Sequence, residues 1–437
     1  MNQNSYIYEA SMNALERKRP TRQRLFLVSI LFVGISIAYL DRVNIAVIAA
    51  NAQFLADMGI AGQPVKVGLM MSFFLGAYGI SNVVLSPLGD YLGPRRAMVV
   101  AYLIICASPL VGGMASTFGI LLATRVLLGI GEGLYYPMQN TIVKNWFPPK
   151  ERGRANTAWL IGQSLAPAAA MPVFTYLVAA HSWEATFHFS FAISLVPLLL
   201  LWFFTADSPH AHKRVNEAEL RYIEENMAGE KEGGKGAVPE GERFLRRAKI
   251  YASDYRFWML LLILASNSIL SWGVATWLPT YLSKERGFSW HAMGWISSLP
   301  FILGFVFKLV AGMIIDRTGR NAPVIALAAL LCAAGVYLGV TIQDNHTAAV
   351  LLAFGIGASS AQIPGVFTLL QKLVPQAAMS SAAGTLNGIA VGFGALSPVL
   401  IGLSISMTGN FGSALYFIMG IVLFGGVLAT ILSAKGL

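Results

Sequence analysis

Near its start the chain carries a long uncharged run broken once, by two adjacent opposite charges. Sixteen uncharged residues (25–40) lead into Asp41-Arg42, and fourteen more (43–56) follow before Asp57. A helix crossing a bilayer core needs about 20 apolar residues. Neither flank is long enough alone, so the helix that spans here must carry Asp41 and Arg42 well inside the membrane. Charges at that depth are expensive and persist where they are paired or face a water-filled cavity. The segment YLDRVN (residues 39–44) is therefore a candidate functional site. The structural alternative is an arginine snorkelling from near a helix end, with Asp41 as its local partner.

The rest of the chain sets the class. Of its 437 residues 56% are hydrophobic and 12% charged, against about 25% charged in a typical soluble protein. Apolar runs recur to residue 432, which predicts an all-α polytopic membrane protein. Nothing in the composition points to a soluble catalytic domain. The net charge of +10 is read through its placement, because membrane proteins hold Lys and Arg in cytoplasmic loops; it does not point to nucleic acid. Cys106 and Cys332 both fall in apolar runs, so neither a disulfide framework nor a metal site is indicated. The first apolar run is too long for a signal-peptide core and lacks a clear cleavage site, so it is expected to be the first span.

Twelve spans are expected, near 25–50, 68–90, 97–115, 117–143, 155–179, 185–205, 257–282, 291–315, 322–342, 347–371, 379–405 and 411–434. They divide the chain into a cytoplasmic tail (1–24), a six-helix bundle (25–205), a polar central loop (206–256) and a second six-helix bundle (257–437). Within the loop, 216–227 reads as a short amphipathic surface helix and 229–241 as flexible linker. Basic residues cluster before the first span (Arg17, Lys18, Arg19, Arg22 and Arg24), at Arg95-Arg96, at Lys150, Arg152 and Arg154, through the loop, at Arg317 and Arg320, and at Lys372. The opposite loops hold little beyond Lys66, Lys284 and Arg286. Both termini are thus expected on the cytoplasmic side.

The two halves repeat. SPLGDYLGPRR (86–96) follows the second span and GMIIDRTGR (312–320) the eighth. In each, a small residue is followed four places later by Asp (Asp90, Asp316) and three later by Gly (Gly93, Gly319). Basic residues come next: Arg95 and Arg96 in the first copy, Arg320 in the second, where Arg317 also follows the Asp. A small residue such as Gly312 lets helices approach closely, and the Asp can pair with the basic residues and cap a helix start. Two ordinary cytoplasmic turns are the alternative. Matching copies at matching loops mark an internal duplication, as in transporters built from repeated halves.

In this twelve-span, duplicated frame the chain resembles the major facilitator superfamily. YLDRVN, RVLLGIGEGLYYP (125–137) and NWFPPKERGRA (145–155) resemble its anion:cation symporter family, which includes bacterial sugar-acid/proton symporters and vesicular glutamate and sialic acid carriers. The resemblance covers nearly the whole chain, and its motifs do not encode the substrate.

Arg125 and Glu132 are seven residues apart in the fourth span, so two helical turns put both on one face. With Asp41 and Arg42 they make two acids and two bases inside the amino-terminal half, a set that is neutral overall. A carboxylate in a low-dielectric site takes up a proton more readily, and an adjacent arginine opposes this. Moving the arginine toward an incoming anion would release the carboxylate to bind H⁺. Two static buried salt bridges that fix helix register are the alternative. The resemblance implies that Arg42 meets the substrate carboxylate, that Asp41 and Glu132 carry protons, and that Arg125 partners the first acid and counts among the substrate-binding residues. It also puts Tyr39, Tyr78, Gln163 and Asn387 at pocket positions, where ordinary interhelical hydrogen bonding is an equal alternative.

The carboxy-terminal half departs from the family pattern. AQIPGVF (361–367) stands where sugar-acid members more often show small hydroxylated residues and a tryptophan. Span seven offers Ser266, Asn267, Ser268, Ser271 and Trp272, of which Trp272 is a candidate substrate contact. A plain polyhydroxylated sugar acid is thus in doubt, and aromatic or other monocarboxylates stay open. His188 is either titratable or packed between helices. Lys308 is either a second anion contact or a lysine snorkelling toward the cytoplasm. The glycines of GIGEG (129–133) are not a phosphate loop, since they lie at membrane depth with no preceding strand; they read as close helix contacts or flexible points.

The expected function is proton-coupled symport of a small organic anion by alternating access. The protein is expected to be monomeric, to sit in the plasma membrane (the inner membrane of a bacterium), and to use protons as coupling ion with no other cofactor. The alternatives are a facilitative carrier or proton-coupled exporter of the same fold, and a transporter-like membrane sensor. A membrane enzyme would want a nucleophile with a nearby base or a metal cluster, and the sequence offers neither. The charge pattern predicts that a tag on either terminus is protected in sealed right-side-out cells and that a cysteine at position 284 is labelled from outside. The reverse labelling would overturn the orientation.

Overall fold

The computed structural model describes residues 20–85, 87–232, 251–374 and 376–436. The expected basic residues Arg17, Lys18 and Arg19, position 86 of the first repeat and the linker beyond 232 lie outside them. The described residues are helical, with twelve helical spans long and apolar enough to cross a membrane.

The first half comprises α1 (Gln23–Ile48), short α2 (Ala52–Asp57), α3 (Pro64–Val84), short α4 (Leu88–Leu92), α5 (Pro94–Gly112), α6 (Phe118–Trp146), α7 (Pro149–Leu160), α8 (Gly162–Ala180) and α9 (Trp183–Phe204). The loop carries α10 (Glu217–Glu232). The second half comprises α11 (Tyr255–Lys284), α12 (Trp290–Thr318), α13 (Ala322–Thr341), α14 (Asn345–Ser359), α15 (Gln362–Leu373), α16 (Gln376–Thr408) and α17 (Phe411–Ala434). Helix α10 extends past the expected 216–227, so residues 229–232 are helical rather than linker. The second span stops at Val84, and Asp90 belongs to the separate turn α4 instead of to the span's end. The first span ends at Ile48, which puts Asp41 and Arg42 within about two turns of its far end rather than at its middle.

Two spans are broken, the tenth beside a proline. Pro364 has no N–H to offer the Ser360 carbonyl, and α14 stops at Ser359 before α15 starts at Gln362. The Ser360 carbonyl accepts from Ile363 N at 3.3 Å, and the Ser359 carbonyl, which Ile363 would otherwise serve, accepts from Asn267 Nδ2 at 2.9 Å. In the fifth span Gly162 and Pro167 flank Gln163, and α7 gives way to α8 at Ile161. Gly162 also lets the chain approach α1, since a Cβ there would lie 2.4 Å from Ser36 Oγ.

Loop helix α10 is pinned to the first bundle. The first turn of α1 has no side-chain cap of its own; its N–H groups are met by fully buried Glu219, which accepts from Gln23 N at 2.9 Å, Arg24 N at 3.2 Å and Thr21 Oγ1 at 2.5 Å. Arg24 pairs with Glu219 and with Glu151, each at 3.2 Å.

Between the halves, α1 packs on α11, α3 on α16 and α8 on α12. Helices α3 and α16 touch at one end, where a Cβ on Gly68 would lie 2.3 Å from the Pro398 carbonyl oxygen and one on Gly402 would lie 2.5 Å from that of Pro64. From there an apolar groove runs between them, lined by residues of 69–84 and 388–400, and Gly76, Gly79, Gly388 and Gly392 have open space. At the closed end Trp290 Nε1 also donates to the Thr175 carbonyl at 2.7 Å. Lys435 Nζ reaches Tyr255 Oη at 3.0 Å, so the carboxy terminus shares an end with the start of α11. The closed contact is remote from that end. Overpacking it costs about 1–3 kcal/mol, so Gly68→Val and Gly402→Val should each open it. A reporter cysteine at position 271, with Cys106 and Cys332 replaced, should then react faster with an impermeant thiol reagent applied from the face remote from the termini. Unchanged labelling would contradict the closure.

Candidate functional site

Between the halves lies a cavity of about 280 Å³. Six of the expected site residues line it: Tyr39 and Arg42 from α1, Tyr78 from α3, Gln163 from α8, Trp272 from α11 and Asn387 from α16. Both broken spans present residues there, Gln163 and Ser164 just past the first break and Ser360 and Ile363 at the second.

The guanidinium of Arg42 sits in an aromatic cage. Its Cζ is 4.0 Å from the ring centre of Tyr39, 4.8 Å from Tyr78, 5.1 Å from Phe74 and 5.4 Å from Trp272. Ring faces attract a cation and leave its in-plane donors free. Trp272 belongs to the opposite half, so the arginine is held from both sides. Its ion pair among the described residues runs from Nε to Glu132 Oε2 at 2.5 Å, with both side chains 2% exposed.

Glu132 reaches Arg42 because α6 packs close to two neighbours. A Cβ on Gly129 would be 2.4 Å from the Phe74 carbonyl oxygen, one on Gly133 2.6 Å from that of Tyr78, and one on Gly131 3.0 Å from that of Ala101. The glycines of GIGEG are thus close helix contacts, against α3 on one side and α5 on the other. Glu132 Oε1 is buried with no hydrogen-bond partner among the described residues.

Asp41 faces away from the cavity. Its carboxylate is buried beside Ser190, and Arg125 Nε and Nη2 are buried with no hydrogen-bond partner among the described residues. The two side chains are within electrostatic reach of one another, but no ion pair within 4.0 Å joins them among the described residues. Arg125 packs on the Phe187 ring with its Cζ 5.4 Å from the centre. Arg125 was expected to touch substrate; it is 1% exposed and lies behind the cavity wall. Asp41 and Glu132 are likewise behind the wall.

Lys308 lines the cavity, its Nζ 3.3 Å from Ser164 Oγ across the interface. His188 does not: it is exposed and lies against Gly113. Tyr136 and Phe74 escaped the sequence reading. Each stands four residues from a recognised site residue, Tyr136 after Glu132 and Phe74 before Tyr78, and that spacing on a helix is the signal that finds them.

The repeated loops differ from expectation. Gly93 and Gly319 both take left-handed backbone, with φ of 80° and 67°, which is why Gly recurs in the two copies. At the start of α5, Asp207 Oδ1 accepts from Arg95 N at 2.8 Å, and the Arg95 guanidinium bonds the Trp202 carbonyl. The Asp90 side chain is outside the described residues. Asp316 is exposed in the last turn of α12 and caps no helix start; Gly319 ends that helix and its carbonyl accepts from Lys372. Arg96, Arg317 and Arg320 are exposed, and Gly312 has open space around it.

Two pseudo-equivalent six-helix halves around a cavity walled by charged and polar groups define a membrane transporter. Residues 31–398 match the model of the Major Facilitator Superfamily, and the chain belongs to that family. It is 30% identical to a Cupriavidus necator protein named "Probable sulfoacetate transporter", with 95% of this chain and 94% of the relative covered. It is 27% identical to an Escherichia coli protein named "Probable galactarate/D-glucarate transporter", over 93% of each. Its fold is that of a bacterial homologue of the human lysosomal transporter Spinster, with a TM-score of 0.75 at 16% identity, over 95% of this chain and 96% of that one. The protein is an integral membrane transporter and not an enzyme.

Proposed function

We propose that the protein moves a small organic anion across the plasma membrane (the inner membrane of a bacterium) together with protons, as a monomer with cytoplasmic termini. The observation that carries this reading is the state of Arg42. Its guanidinium lines the interdomain cavity, yet its ion pair uses Nε alone and runs to a carboxylate behind the wall. The Nη edge is the part that an anion can meet in bidentate fashion.

The coupling follows from charge balance. An anion on Arg42 competes with Glu132 for the same guanidinium. As the arginine turns to the anion, Glu132 is left buried beside an already unpartnered Oε1. An ionised carboxylate without a counter-charge is costly there by several kcal/mol, and a proton removes the cost. Asp41 and Arg125 form a second acid–base set one layer deeper. Release of the anion lets Arg42 return and expels the proton. Rocking of the halves about the α3–α16 and α8–α12 contacts exposes the cavity to each side in turn. The relatives named for sulfoacetate, galactarate and D-glucarate support an organic acid as cargo. A cationic cargo is disfavoured, because Arg42 and Lys308 line the cavity and no Asp or Glu is among the described lining residues.

The test is Arg42→Lys. A compact ammonium cannot copy the guanidinium fork, so purified Arg42→Lys protein should lose most of the thermal stabilisation that a panel of carboxylates and sulfonates gives the unsubstituted protein. Equal stabilisation of both would remove Arg42 from the binding site.

A further inference from the structure

The cavity wall carries two cations and unequal compensation for them. Arg42, from the first half, is balanced by Glu132 at 2.5 Å. Lys308, from α12 in the second half, has a neutral partner, Ser164 Oγ at 3.3 Å, and no carboxylate within 4.0 Å among the described residues. The other polar groups facing the cavity, including Asn267, Ser268, Ser271 and Asn387, are neutral. The cavity therefore holds one positive charge more than its wall neutralises.

From this we infer that the cargo is a dianion, with one anionic group on Arg42 and a second on Lys308. The inference rests on the proposed anion transport and narrows its substrate. With one proton on Glu132, a dianion leaves the cavity balanced: two cations face two anionic groups. A monoanion leaves Lys308 uncompensated in a site that must close over it, and a lone buried charge costs several kcal/mol. The two cations also sit on opposite halves. A molecule joining them ties α1 to α12 and draws the halves together. Each cation already touches the opposite half through a neutral group, Arg42 through Trp272 and Lys308 through Ser164, so a bridging ligand replaces contacts already formed across the interface. The shared chemistry is a short chain with an anionic group at each end, carboxylate or sulfonate.

The test uses purified full-length protein and ligand pairs matched in length but differing in charge: succinate against succinamate, and D-glucarate against D-gluconate. Affinities are read from thermal shift over a concentration series. The unsubstituted protein should bind at least one dianion about tenfold or more tighter than its monoanionic partner, the factor expected for one added charged hydrogen bond. Lys308→Met should abolish the dianion's advantage over the monoanion, while Lys308→Arg should keep it. Should Lys308→Met lose monoanion binding as well, Lys308→Arg decides: a retained preference supports the inference and a lost one overturns it. Equal binding of both pair members by the unsubstituted protein overturns the dianion, as does a preference that survives Lys308→Met; in either case Arg42-dependent anion binding still stands. Absence of binding by every probe overturns the organic-anion reading together with the inference built on it.

Discussion

A buried ion pair between α1 and α6 governs the design of the first half. Arg42 and Glu132 are both 2% exposed, and a pair held so far from water gains little net stability, because desolvating two ions offsets most of their attraction. Its physical value lies in its exchangeability. Either partner becomes costly when the other leaves, so displacing one by a ligand forces a compensating change in the other. The glycines at 129 and 133 bring α6 against α3 closely enough for that contact, and the aromatic rings of Tyr39, Phe74 and Tyr78 hold the cation without neutralising it.

The second half answers with different chemistry. It contributes Trp272 to the cage around Arg42, Lys308 to the cavity, and a broken helix whose exposed carbonyl at Ser359 is met by Asn267. Non-helical backbone at this depth is tolerated where protein or a cavity supplies partners. The buried acids and bases Asp41, Arg42, Arg125 and Glu132 lie in the first half, whereas no acid is among the described cavity-lining residues of the second half. Loop helix α10 is joined to the first half through Glu219.

The spans were legible in the sequence because each is a long, mostly apolar run, and Asp41, Arg42, Arg125 and Glu132 because charges inside such runs stand out. Direction was not legible. Hydropathy tells depth but not azimuth, so Arg125 and Arg42 looked alike although only Arg42 reaches the cavity. The repeated loops revealed the duplication, yet the partner of Arg95 proved to be Asp207, over a hundred residues away, a contact no local pattern encodes. Lys308 was ambiguous for the same reason: a lysine one turn from the middle of a span reads equally as snorkelling outward or pointing inward until α8 is seen beside it.

The central claim is that Glu132 exchanges Arg42 for a proton during each cycle, and Glu132→Gln tests it most directly. Glutamine imitates the protonated acid permanently. Reconstituted in vesicles, the variant should bind anion and exchange internal for external anion, since exchange needs no net proton movement, and should fail to accumulate anion against its gradient when driven by a pH difference. A well-folded Glu132→Gln protein that still concentrates anion on a proton gradient would contradict the account.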